Sequence, residues 1–167
     1  YELIDGFKRL RACRELGFLT IQVRVLSVGE RPAKAAILEL NWKAGSIREL
    51  EEALILQSLH REDKLSQVEI ALLVRRHKSW VCRRIALVER LCDEVLDHLK
   101  LGLIGPGQGR QLIRLPRGNQ AKALETILKH GLCCRETERL VALLLERPRW
   151  AHDSLLHLPL EILDDRS

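Results

Sequence analysis

Between Leu65 and Leu91 the chain reads LSQVEIALLVRRHKSWVCRRIALVERL, and the spacing of its punctuation leaves few folds open. Ser66 followed three residues later by Glu69 is a capping box, in which the serine oxygen accepts from the exposed amide of Glu69 and the glutamate reaches back. That fixes a helix start at Gln67. A polar break at Arg75-Arg76-His77 follows. A second apolar period then runs through Val81, Ile85, Val88, Cys92 and Val95, which predicts one long helix from Ser79 to about Lys100. Ala71 lies where two closely crossing helices exclude a larger side chain, and Val81 supplies the apolar anchor of the second helix on the first. This is the arithmetic of a helix-turn-helix. The turn position four residues after Ala71, commonly glycine, is Arg75, so the reading requires a left-handed conformation at a residue that resists it.

Charge is concentrated in the same segment. The whole chain carries 28 Lys plus Arg against 23 Asp plus Glu, a net charge of +5, yet Arg75, Arg76, Lys78, Arg83 and Arg84 fall within ten residues that contain no acid. Such a cluster is the electrostatic footprint of a major-groove reader. Phosphate positioning falls to Arg75, Arg76 and Arg110, and base reading to Lys78, Ser79, Arg83 or Arg84. Ser66 and Gln67, at the start of the first helix, join the candidate DNA-binding set. Trp80 has two readings, packing on the neighbouring helix or contact with a sugar or thymine methyl. Arg110 has two as well, touching the DNA backbone or holding its own loop. Cys82 is read as inert.

The rest of the chain is ordinary globular material. With 167 residues, 46% hydrophobic and 31% charged, it can bury a core without disulfide staples. No stretch approaches the roughly 18 apolar residues of a membrane span. The five cysteines lack a C-x-x-C pair and read as reduced thiols, and neither they nor the six histidines suggest structural zinc. A start at Tyr1 and the absence of methionine suggest a fragment of a longer product.

Residues 1–62 read as a small α+β piece. Tyr1 to Ile4 and Thr20 to Val25 are expected strands, the latter from its alternation and β-branched content, and Phe7 to Leu16 an expected helix. Pro32 suits the first turn of a helix running to about Asn41. Gly45-Ser46 breaks the chain before a helix whose apolar set is Ile47, Leu50, Leu54 and Leu59, with Glu49, Glu51 and Glu52 on its solvated face. Residues 63–148 read as an all-α helix-turn-helix domain, so the chain is mainly helical overall. Beyond the long helix, shorter ones are expected from Gln108 to Leu115, Gln120 to His130 and Arg135 to Glu146. Residues 149–167 read as a linker or tail with one weak helical turn.

Five segments in order carry a resemblance: YELIDGFKRLRA at residues 1–12, Asn41 leading into Glu51-Glu52-Ala53, the helix-turn-helix, GQGRQL at 107–112, and CRETER at 134–139. Over roughly residues 1–146 the chain resembles the ParB family of chromosome and plasmid partition proteins. The resemblance implies a bacterial, nucleoid-associated cytoplasmic protein that reads an inverted-repeat DNA site as a homodimer, with a partition ATPase as a further partner and no membrane. It also implies CTP and Mg²⁺ as cofactors that close a sliding clamp. Gly6-Phe7-Lys8-Arg9 matches the family's Gly-x-Arg-Arg segment, making Gly6, Lys8 and Arg9 the nucleotide-binding candidates. Asn41 matches the asparagine that helps hold the metal. The glutamate expected beside it falls on Leu40, which cannot coordinate Mg²⁺, and an expected arginine falls near Ala44. The expectation is therefore CTP binding with hydrolysis weak or lost, in a protein of DNA partition or of plasmid or mobile-element regulation. The alternatives are a CTP-hydrolysing clamp switch, a ParB-like transcriptional repressor, and a silent adaptor acting through residues 149–167.

Overall fold

The computed structural model describes residues 1–44, 48–148 and 152–157, and every regular element among them is helical. In chain order these are α1 (Phe7–Glu15), α2 (Glu30–Ala44), α3 (Glu49–Arg61), α4 (Gln67–Leu73), α5 (Lys78–Glu89), α6 (Asp93–Leu101), α7 (Pro106–Leu112), α8 (Arg117–His130), α9 (Cys134–Glu146) and α10 (His152–His157). They form two compact units, residues 1–81 and 82–167.

The expected α+β character of residues 1–62 is corrected by this structure. Neither Tyr1 to Ile4 nor Thr20 to Val25 forms a strand. A β-pattern becomes a strand only where a neighbouring extended chain pairs its amides and a surface covers its apolar face. Among the described residues that surface is missing: Val23 is 65% exposed and Val25 57%. α1 likewise buries none of its residues.

In the first unit, α2 and α3 pack together. Leu38 of α2 and Ala53, Leu56 and Leu59 of α3 are fully buried. The expected α3 stripe is rotated: Leu54 is exposed, Leu50 is half-buried, and Glu52, expected on the solvated face, is buried. Ile47 and the Gly45-Ser46 break lie outside the described residues. Lys34 of α2 donates to Asp63 at 2.7 Å and to Glu62 at 3.1 Å, just past the end of α3. The hydrogen bond to Asp63 chiefly holds the lysine ammonium charged well above its ordinary range.

α4 begins where the capping box places it. Glu69 N–H donates to Ser66 Oγ at 3.2 Å, and Ser66 N–H donates to the Glu69 carboxylate at 2.7 Å. Hydrogen bonding from the Ser66 hydroxyl first, and from the Ser66 backbone amide second, holds the Glu69 carboxyl below its usual range. The helix ends in a Schellman turn: Arg76 N–H donates to Ala71 O at 2.9 Å and Arg75 N–H to Leu72 O at 3.3 Å. Closing both bonds drives Arg75 to φ 52°, the left-handed conformation its position demands. Lys64, on the other side of α4, stands at φ 58°.

The long helix expected from Ser79 to Lys100 is broken. α5 stops at Glu89 and α6 restarts at Asp93 with Cys92 as its N-cap residue. Acidic Asp93 and Glu94 favour a helix start there, since they face the positive end of the peptide dipoles. The break is stitched by α8 within the second unit. Gln120, 1% exposed, accepts from Cys92 N–H at 2.7 Å and donates to the carbonyls of Arg90 and Leu115 at 3.1 Å each. Arg117 donates from Nη2 to Leu91 O at 2.6 Å. Val81, Ile85, Val88 and Val95 remain buried, whereas Cys92 is half-buried at the break.

α7 starts earlier than expected, with Gly105 as N-cap residue and Pro106 in its first turn. It lies against α9 closely enough that a Cβ on Gly107 would sit 2.8 Å from Cys134 Sγ and force that thiol to move. Gln108 secures the same corner by donating to Leu132 O at 2.8 Å. The tail contributes more than a linker. α10 packs on α8 and α9 with Leu155 buried, and Thr126 donates to Leu156 O at 3.2 Å.

Arg75→Gly should raise stability by about 1 kcal/mol in denaturant unfolding, because glycine occupies the left-handed region without steric cost. Gln120→Leu should lower it by about 2–3 kcal/mol, since an apolar isostere strands the Cys92 amide and two carbonyls.

Candidate nucleic-acid interface

The sequence after α4 is arranged for a helix that starts abruptly. His77 precedes α5 and caps it: Ser79 N–H donates to His77 Nδ1 at 3.2 Å, with the serine hydroxyl 2.7 Å from the same nitrogen. Trp80 N–H donates to His77 O at 2.9 Å. From this cap, helical periodicity divides α5 into two sides. Val81, Ile85 and Val88 are buried, whereas Ser79, Cys82 and Arg83 are exposed on the side away from them and Lys78 is exposed at the helix start. Trp80 and Arg84 are half-buried between them. Arg75 and Arg76 are exposed in the turn immediately before. The structure thus brings four candidates, Arg75, Arg76, Lys78 and Ser79, to one turn and helix start, with Arg83 one helical turn further on.

Cys82, read from the sequence as inert, is exposed in the same part of the helix. It occupies the middle of the exposed sector, and its spacing of four from Lys78 was the available signal. Arg84 departs in the other direction, being half-buried rather than presented with Arg83. Ser66 has its hydroxyl and amide engaged in the α4 cap, and Gln67 is half-buried. Arg110 is exposed on α7 in the second unit.

Trp80 meets Trp42 of α2 edge to face, with ring centroids 5.6 Å apart and planes at 77°. Arg76 lies over the Trp42 ring at 4.6 Å and over the Trp80 ring at 5.6 Å. The indole N–H of Trp42 donates to Glu52 Oε1 at 2.6 Å.

The nucleotide candidates are less well assembled. Gly6 adopts φ 84° at the start of α1, but its N–H donates to Asp5 Oδ1 at 2.6 Å, and Arg9 pairs with Asp5 at 3.3 Å. Lys8 is exposed. Asn41 donates its side-chain amide to Ile37 O at 2.8 Å in its own helix. No shared core fixes α1 beside Asn41, because α1 buries nothing. Leu40 offers no metal ligand, and no group of three or more His, Cys, Asp or Glu gathers among the described residues.

No helix among the described residues is long and apolar enough to cross a membrane. In sequence the chain is 33% identical over 141 residues to a probable chromosome-partitioning protein ParB of Pseudomonas putida, covering 84% of this chain and 48% of that protein. It spans about half the length of the curated relatives it matches. The fold resembles that of C-terminally truncated ParB of Caulobacter crescentus complexed to the centromeric parS site, with a TM-score of 0.58 and 26% identity over 85% of this chain and 74% of that one. A ParB DNA-binding domain complexed to parS matches with a TM-score of 0.52 and 28% identity over 71% of this chain and 91% of that one. The ParB HTH domain model matches residues 46–146, more than half of the sequence, and the chain belongs to that family.

Proposed function

We propose that this chain is a sequence-specific DNA-binding protein of chromosome partition, which lays α5 in the major groove of an inverted-repeat site of the parS kind. The observation that carries the reading is the exposed sector of α5, with Lys78, Ser79 and Arg83 presented together beside the two arginines of the turn. Two relatives of like fold are seen on parS DNA, which supports the same use here. Arg83 has the reach and planar fork to pair with a guanine, while Arg75 and Arg76 are placed for phosphates at the groove edge. An inverted repeat has two-fold symmetry, so two copies of the chain occupy one site. The protein then works on the bacterial nucleoid, with a partition ATPase as its further partner.

A nucleotide step is a separate proposal. The exposed Lys8 and Arg9 after left-handed Gly6 support triphosphate contact, and Leu40 in the carboxylate position opposes hydrolysis. Phosphate release from CTP with Mg²⁺ and cognate DNA should stay at background; turnover above it would reverse this reading of Leu40.

Selection of the protein against a random DNA pool should enrich an inverted repeat that binds with a steep salt dependence. Failure of any sequence to enrich would overturn the proposal. On the enriched site, Arg83→Ala should cost about 1–3 kcal/mol and far less on random DNA. An equal loss on both would make Arg83 a phosphate contact.

A further inference from the structure

Sequence reasoning assigned nothing to Trp42, and it placed Glu52 among solvated acids. The structure puts both beneath the turn. Glu52 is 8% exposed, and by accepting the Trp42 indole N–H at 2.6 Å it fixes the plane of that ring. Over that ring, at 4.6 Å, lies the Arg76 guanidinium, which is also 5.6 Å from the adjoining Trp80 ring. We infer that Trp42 and Glu52 are positioning residues for DNA binding, which hold Arg76 as a pre-set phosphate donor beside the reading helix. The inference rests on the DNA-binding reading above.

A guanidinium stacked on an aromatic ring uses its flat faces. The ring face attracts the charge without accepting all of its five N–H donors, which leaves donors for a phosphate. Arg76 is exposed, and its backbone is already fixed by the bond from its N–H to Ala71 O. Both ends of the side chain are therefore set before DNA arrives, and less rotamer freedom is lost on contact than for an arginine in open solvent. Lys78, with a flexible stem and no planar fork, has no comparable seat. Trp80 gains a role by the same geometry: it belongs to α5 and touches Trp42, so the indole that seats Arg76 also abuts the first turn of the reading helix.

The test uses the full chain with the inverted repeat enriched by selection, comparing Arg76→Ala, Trp42→Leu, Trp42→Phe and the Trp42→Leu/Arg76→Ala double variant. Arg76→Ala should weaken binding about tenfold and reduce the slope of log K against log salt by about 0.9, the loss of one phosphate contact. Trp42→Leu should reproduce that loss of slope although it removes no charge, and the double variant should be no weaker than Arg76→Ala. Trp42→Phe, which keeps an aromatic face, should restore most of the slope. A Trp42→Leu protein with the wild-type slope, or losses that multiply in the double variant, would overturn the inference while leaving the DNA-binding reading intact. If Trp42→Leu does not fold, Arg76→Lys decides, since it keeps the charge and loses the planar fork: about tenfold weaker binding supports the seat, and wild-type affinity overturns it. If the wild-type chain binds no DNA, both readings fall together.

Discussion

A helix that is to enter a groove has to leave its predecessor sharply, and the carbonyls at the end of that predecessor still need donors. Here one short turn meets both demands. The amides of Arg75 and Arg76 close the last carbonyls of α4, and the left-handed bend this requires points the chain into α5, where His77 caps the new helix. Everything proposed for the molecule hangs on that turn, because it sets which side of α5 is buried and which is presented. The cost of an arginine at φ 52° is a property of the sequence, and the two arginines it places are the return.

Polar side chains do comparable work in the second unit. Gln120 and Arg117 serve three groups left open where α5 stops and α6 begins, two carbonyls and one amide, and Gln120 also serves the Leu115 carbonyl ahead of α8. A buried glutamine that meets its donors and acceptors this fully defines a corner more specifically than a leucine could, since it rewards one arrangement and penalises the rest. At the α7 and α9 corner the close seat of Gly107 on Cys134 adds a constraint of shape to the bond from Gln108.

Local signals were legible in the sequence and tertiary choices were not. The capping box at Ser66, the left-handed demand at Arg75 and the glycine stop after His130 follow from neighbouring residues, and each is where it was expected. The break at 90–92 was hidden, because Cys92 and Val95 continue the apolar period of α5 and the side chains that stitch the break lie about 28 residues away in sequence. Thr20 to Val25 has the alternation of a strand, but pairing depends on a neighbour that no local pattern reveals. Glu52 sat among acids and read as solvated; only its approach to Trp42 shows why it is buried. The basic sector of the site was therefore readable, whereas the indole beneath Arg76 was not.

The pair of left-handed residues around α4 has a consequence for how the molecule opens. Lys64 and Arg75 bracket a helix of seven residues, and each holds a backbone conformation that an L side chain leaves readily. α4 is short, strained at both margins and supported by only a few buried side chains, Ile70 and Ala71 among its own residues. Such a segment opens at lower free energy than the helices it joins. In amide exchange α4 would lose protection before α3 and α5, the helices it joins, so the element that sets the direction of the reading helix keeps some freedom to adjust it.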